Sequence, residues 1–363
     1  MSTVPLVPVE NPIAKAAKFI GLLAITVVVL GGGFIFLKDF KESKLLLVVF
    51  AVVWGIGATA LLYTVLNAIG ETFPRKVRTW LLPLIFAGPA LILLIWFLVL
   101  PTIRTFGFSF LDETSTQFVG LSNYLYAFTN PTMLESFGNN LLWLVFGTAG
   151  TVGLGLLIAV LADRSAWETA FKALIFMPMA ISFVGAGVIW KFIYSYKGDD
   201  ASEIGLLNAI VLAFGGHSQA WLQLPIWNNF LLIIIMVWLQ TGYAMVILSA
   251  AIKGIPEEIM EAARIDGANE IQIFWRIIVP SIMGSIITVT TTIVIFCLKL
   301  FDIVRVMTGG NFGTNVVANQ FYLERFTNQQ TGRASAIAIV LLVVVVPVLI
   351  YNLRQFAERK AFK

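Results

Sequence analysis

Glu261-Ala262-Ala263-Arg264-Ile265-Asp266-Gly267, followed after nine residues by Ile277-Ile278-Val279-Pro280, is the stretch whose reading decides the fold. It is a charged island between two long apolar runs, residues 228–252 and 281–300. Pro256 suits the first position of a helix, where its missing N–H costs nothing. Glu257 and Glu258 then fall in the first turn, where the helix dipole favours negative charge. Ile255, Ile259, Ala262 and Ala263 share one face, and Glu257, Glu261 and Arg264 line another. Gly267 can turn left-handed and stop the helix. A second helix is expected at once, because Asn269 and Gln272 have capping-box spacing. It carries the large apolar residues Ile271, Phe274 and Trp275, and Pro280 punctuates its passage into the next run. The expectation is a helix–turn–helix elbow, a rigid knob for another protein to grip, with no catalytic group in it.

Outward from the elbow, the chain is 59% hydrophobic and 12% charged over 363 residues. A soluble domain carries about 25% charge, so the composition implies an integral membrane protein. A spanning helix needs about 20 apolar residues. Eight segments qualify: 19–37, 45–69, 79–100, 141–162, 169–193, 228–252, 281–300 and 335–351. Lys172 and Lys191 sit near the ends of the fifth, where their stems can snorkel to the interface. The first is read as a retained helix rather than a signal peptide, since its apolar run exceeds the usual length and no small-residue cleavage site follows.

With the N-terminus inside, 14 of the 24 basic residues fall on inner segments, among them Lys15, Lys18, Arg75, Lys76, Arg78, Arg164, Lys253, Arg264, Arg276 and those of the C-terminal tail. That bias has the sign expected for cytoplasmic loops and places both termini, and the elbow, inside. The net charge of +4 therefore reflects topology, not nucleic-acid binding. Gly147, Thr151 and Gly155 place small residues on one face of the fourth segment, where a second backbone can approach. Pro83, Pro89, Pro178 and Pro347 are expected to interrupt their helices. One cysteine and one histidine leave no metal site, no internal disulfide and no Ser-His-Asp set. No G-x-x-x-x-G-K-[ST] loop is present, so ATP hydrolysis requires a partner.

The pattern Glu-Ala-Ala, three residues, Gly, nine residues, then Ile-x-x-Pro resembles the EAA motif of ABC importer permeases, with Val279 where Leu is usual. Residues 80–355 are similar to carbohydrate permeases of the maltose type, through Asn123-Tyr124, Pro178, the 238–243 stretch, Phe301-Asp302 and Met307-Thr308-Gly309-Gly310. The α-glucoside branch is closer still, through 182–186, 189–194, 205–210, 227–230 and 240–242. The resemblance implies an all-α integral membrane protein with eight transmembrane helices: a six-helix type I ABC importer permease core at 79–363, with coupling loop 253–280, and a two-helix extension at 1–78. It implies residence in the bacterial cytoplasmic (inner) membrane.

It further implies that Glu261, Ala262, Ala263, Asp266, Gly267 and Pro280 dock on an ATPase subunit. Leu239, Gln240, Tyr243 and Phe296 align near sugar-contacting positions. Trp238, Lys299 and Asp302 add an aromatic platform and charges, although Lys299 and Asp302 at i,i+3 can instead pair with each other. The implied partners are a second homologous permease, two ATP-binding subunits carrying Mg-ATP, an extracytoplasmic sugar-binding protein and membrane lipid. This chain itself would bind no cofactor and no nucleic acid. The cargo would be an α-glucoside such as sucrose, trehalose, maltose or glucosylglycerol. Two rivals remain: a secondary carrier, which calls for a mid-span acidic residue, and a non-transporting scaffold, which needs no polar cluster near Trp238–Tyr243.

Overall fold

The computed structural model describes residues 12–40, 43–71, 75–163, 167–198 and 205–361. Arg164 and the acidic group Asp199, Asp200 and Glu203 lie outside them, as do the side chains of Arg75, Lys76 and Arg78. The chain divides into two compact units, up to Thr102 and from Ile103. Among the described residues, six helices are long and apolar enough to cross a membrane, or eight when each of two sharply bent pairs counts as one span.

The first unit holds α1 (Pro12–Asp39), α2 (Lys44–Glu71) and α3 (Arg75–Leu94). Their residues are apolar on nearly all sides and almost none is buried within the unit, the pattern of helices whose solvent is lipid. A close approach joins α1 to α2: the Trp54 indole donates to the Val29 carbonyl at 2.7 Å, and the ring lies where a Cβ on Gly33 would stand. A π-helical turn, Ile95–Val99, carries α3 into α4 (Leu100–Phe108). Pro83 and Pro89 lie inside continuous α3, contrary to the expected interruption.

In the second unit, α5 (Ser122–Thr129) follows a loop organised by Asp112, whose carboxylate accepts from the Thr116 and Gln117 amides at 2.7 and 3.1 Å. Asn130 caps α6 (Pro131–Leu142) by accepting from Thr132 N–H. A π-turn links α6 to α7 (Thr148–Ala162), so the fourth span starts ten residues before the expected boundary. Next come α8 (Glu168–Phe176), α9 (Phe183–Ile193), α10 (Leu206–Ala213) and α11 (Trp227–Lys253).

α11 is the most buried span and the spine of the core. α7 lies along it because α7 is small on that face: a Cβ added to Gly155 would stand 2.5 Å from the Ala244 Cβ. α8 crosses as closely at Gly242, where a Cβ would meet the backbone of Ile175 and Phe176 at 2.7 Å.

The fifth span is not the single helix expected. α8 ends in a 3-10 turn, Met177–Ala180, containing buried Pro178. The chain then bends by 101°, and α9 restarts with Ser182 capping the Gly185 amide at 3.0 Å. Beyond α11 come the elbow helices α12 (Glu257–Ile265), α13 (Glu270–Ile273) and α14 (Val279–Ser281), then α15 (Met283–Leu298) after a 72° bend. The chain closes with α16 (Asp302–Met307), α17 (Val317–Tyr322) and α18 (Thr331–Ala361). Pro347 sits inside α18 without ending it. Of the four prolines read as breakers, only Pro178 coincides with a break.

Candidate functional site: a mid-span cavity and a charged elbow

The bend between α8 and α9 opens a cavity of about 270 Å³ against α11 and α15. Leu239, Gln240 and Tyr243 line it from α11 and Phe296 from α15; Met179, Ile181 and Phe183 close it from the bend. The Phe183 and Phe296 rings lie 6.2 Å apart. Gln240 is 5% exposed, yet its carboxamide forms no hydrogen bond with any described residue. Gln240 lines the cavity, so its amide is available to what the cavity holds. Four of the residues singled out in sequence thus share one wall.

The other three stand apart. Trp238 turns to the other side of α11, where its ring meets Trp190 edge-on at 5.8 Å. Lys299 caps α15 through its backbone and Asp302 opens α16; both are exposed. No ion pair joins them. Met179, Ile181 and Phe183 were not legible as site residues, because only the bend brings them to Gln240; Pro178 and the Ser182 cap were the available signals.

At the far end of α11 lies the elbow. Pro256 is the N-cap, with extended ψ of 133°, so α12 starts one residue later than expected. Glu257 and Glu258 do occupy its first turn. Gly267 takes φ of +83°, and Ala268 N–H closes the turn on the Ala263 carbonyl at 3.0 Å. Asn269 and Gln272 form the reciprocal capping box.

The apolar face differs from the expected one. Ile255, Met260, Ala263 and Ala268 pack on the core, while Ile259 and Ala262 are exposed. α12 is amphipathic, but only its Met260–Ala263 edge meets the bundle. Glu261, Asp266, Gly267 and Pro280 are exposed too, and Ile265 and Trp275 present 86% and 63% of their surface.

Behind the elbow is a cleft of about 830 Å³ lined from α7, α8 and α11 as well as α12. Lys172 does not snorkel outward: it pairs with Asp163 and Glu168 and donates to Ser249. Ser249 donates to Asp163 at 2.8 Å. Glu168 also takes Lys253, the last residue of α11, at 2.5 Å. Sequence spacing gave no sign of this cluster beyond the i,i+4 pair Glu168 and Lys172.

Residues 151–363, more than half the chain, match the family of binding-protein-dependent transport system inner membrane components. The chain belongs to this family. The permease is 54% identical over 278 residues to the osmoprotective compounds uptake permease protein GgtC of Synechocystis, covering 77% of this chain and all of that protein. It is 50% identical over 282 residues to the alpha-glucoside transport system permease protein AglF of Rhizobium meliloti, covering 77% and 83%. Its fold is that of a bacterial ABC transporter involved in alginate import, with TM-score 0.64 and 22% identity, over 76% of this chain and 96% of that one.

The permease is therefore the multi-pass inner-membrane component of an ABC importer. It is not itself an enzyme: ATP hydrolysis resides on a separate subunit, and such components work with a second permease, ATPases and a binding protein.

Proposed function

We propose that this permease moves α-glucosides or related di- and oligosaccharides, of the sucrose, trehalose, maltose or glucosylglycerol class, and that the cavity at Gln240 is its part of the transmembrane sugar path. The observation that carries this reading is the Gln240 amide, without a hydrogen-bond partner among the described residues, in one cavity lining with Tyr243 and Phe296. Carbohydrates need both an aromatic face for their C–H groups and fixed donors and acceptors for their hydroxyls. The similarity to AglF, an alpha-glucoside transport system permease, supports the substrate class. Pockets for drug-sized ligands measure roughly 300–1,000 Å³, so the 270 Å³ here suits a half-site that a second permease completes. Leu239 supplies apolar wall. Trp238, Lys299 and Asp302 lie outside the cavity and are assigned to its approaches.

In this reading Glu261, Ala262, Ala263, Asp266, Gly267 and Pro280 form the surface that seats in an ATPase subunit. The elbow at 253–280 transmits closure of two Mg-ATP-loaded subunits to the six-helix core at 79–363, as a switch between packed states. Both termini face the cytoplasm, and residues 1–78 form a two-helix extension of the chain. The absence of any acidic residue lining the cavity disfavours an ion-gradient carrier. A scaffold would have no use for an amide left available in an aromatic-lined cavity. The test is ATP-driven uptake of labelled α-glucosides by the assembled importer, with Gln240→Ala as comparison. The variant is expected to lower uptake about tenfold, the cost of losing one or two hydrogen bonds. Wild-type uptake in Gln240→Ala would remove the cavity from the path.

A further inference from the structure

A second pocket, of about 300 Å³, lies at the end of α11 opposite the elbow, where the C-terminal end of α9 meets the segments at 220–223 and 312. α11 has 27 residues and so is about 40 Å long. With the elbow inside, this pocket opens on the outer face, the side from which cargo arrives.

Its walls combine aromatic surface with hydrogen-bonding groups. Tyr196, Trp221 and Phe312 supply rings, and Lys191 and Gln223 supply exposed polar ends. The walls are also held in place. Asn208, fully buried, accepts from the Trp221 indole at 2.8 Å and from Gln219 N–H at 2.9 Å, and donates to the Ser195 and Gln219 carbonyls.

Phe312 is held at φ of +59°, a conformation costly for any residue but glycine. Buried Asn228 fixes it by donating to its carbonyl at 2.7 Å, and Asn139 and Asn229 donate to the next carbonyl, that of Gly313, at 2.9 and 3.1 Å. The ring that this strained backbone presents is 54% exposed. Three residues beyond Gln223 in the chain, Ile226 takes φ of +68° in a γ-turn closed by Trp227 N–H on the Pro225 carbonyl at 2.8 Å, again strained for a β-branched residue. Packing does not need an exposed phenylalanine there, and glycine would fit the backbone without cost. The strain points to use.

Packed rings back the pocket: Tyr194, which lines it and is 3% exposed, lies tilted against Trp190 at 5.1 Å, and Trp190 meets Trp238 edge-on at 5.8 Å. The enclosed Trp190 indole N–H has no acceptor among the described residues.

We infer that this outer pocket is a second carbohydrate subsite: a sugar ring rests on Phe312 and Tyr196 as it leaves the binding protein, before it enters the path across the membrane. The concave shape and mixed lining suit a small polyhydroxylated ring better than a protein surface, which would use a broader patch. The inference rests on the carbohydrate reading above.

The test uses the complete importer, both permeases and ATPases with the binding protein, in proteoliposomes. Phe312→Gly removes the ring while relieving its backbone, and Tyr196→Ala changes a side chain that is 44% exposed. Each is expected to lower sugar uptake about fivefold at saturating binding protein, the loss of one aromatic contact, with unchanged melting temperature and unchanged affinity for the binding protein. Uptake that falls in step with binding-protein affinity would make the pocket a protein contact and overturn the inference, as would wild-type uptake in both variants. The ratio is taken for whichever carbohydrate the wild type moves, so failure of the α-glucoside reading shows separately in the wild-type rate. A wild type that moves no carbohydrate overturns both.

Discussion

Glu168 and Lys253 are 2.5 Å apart, and the pair ties the start of α8 to the last residue before the elbow. α8 leads directly into the bend that walls the mid-span cavity. The pair therefore links the elbow end of α11 to the cavity through one helix and one side-chain contact. Lys253→Gln, which breaks this pair and leaves Glu168 with Lys172, is expected to leave the fold intact, because a partly exposed ion pair contributes only about 0–1 kcal/mol. It should raise the number of ATP molecules hydrolysed per sugar moved. An unchanged ratio in reconstituted importer would show that the pair does not carry motion.

The α7–α11 contact sets stability. Gly155→Val should lower the melting temperature in detergent, because its Cβ would enter the space of the Ala244 Cβ at 2.5 Å and approach the Met245 amide at 3.0 Å. Overpacking of this kind costs about 1–3 kcal/mol. Gly153→Val, on the same helix with open space around it, is the control and should melt near wild type. Equal melting of the two would contradict the packing account.

Gly267 has nothing within 4 Å of a built Cβ, so its requirement is purely backbone. Gly267→Val forces a β-branched residue to φ of +83°, at a cost of about 1–2 kcal/mol. The turn, not the core, should yield. The expected result is normal membrane assembly, retained basal ATPase of the partner subunits and loss of uptake. Full uptake in this variant would mean that the turn geometry is immaterial to coupling.

The loop before α5 should loosen in acid. The Gln117 amide, with the Thr116 amide and the Thr114 and Thr116 hydroxyls, holds the Asp112 carboxyl below its ordinary value of 3.8. A depressed folded value means that the loop's stabilisation is complete above 3.8 and is lost as pH falls through the lower folded value. Amide exchange at Thr116 and Gln117 should accelerate below pH 3.8 in wild type, and Asp112→Asn should abolish that pH dependence. A wild-type loop indifferent to acid would contradict this.

Sequence carried the long apolar spans and the elbow well, because those signals are local. A run of apolar residues, the Asn269–Gln272 spacing and a glycine three residues past Arg264 each act within one turn or one span. It carried the bend poorly. Pro178 resembles Pro83, Pro89 and Pro347, which sit in unbroken helices. What separates it is the Ser182 cap and the close crossing at Gly242, a contact 64 residues away in the chain. Asp163 and Ser249 are likewise 86 residues apart, and no spacing rule reaches so far. The cavity followed in half: Leu239, Gln240 and Tyr243 share a helix and Phe296 came by resemblance, while Met179, Ile181 and Phe183 depend on the bend.

The central claim is that a separate ATPase drives sugar through this membrane component. Uptake of labelled trehalose, sucrose and maltose into proteoliposomes holding the full importer measures it most directly. The account predicts uptake of at least one α-glucoside that requires ATP on the ATPase side and the binding protein on the other. Uptake that persists without the ATPase subunits, or that follows an imposed ion gradient, would contradict it.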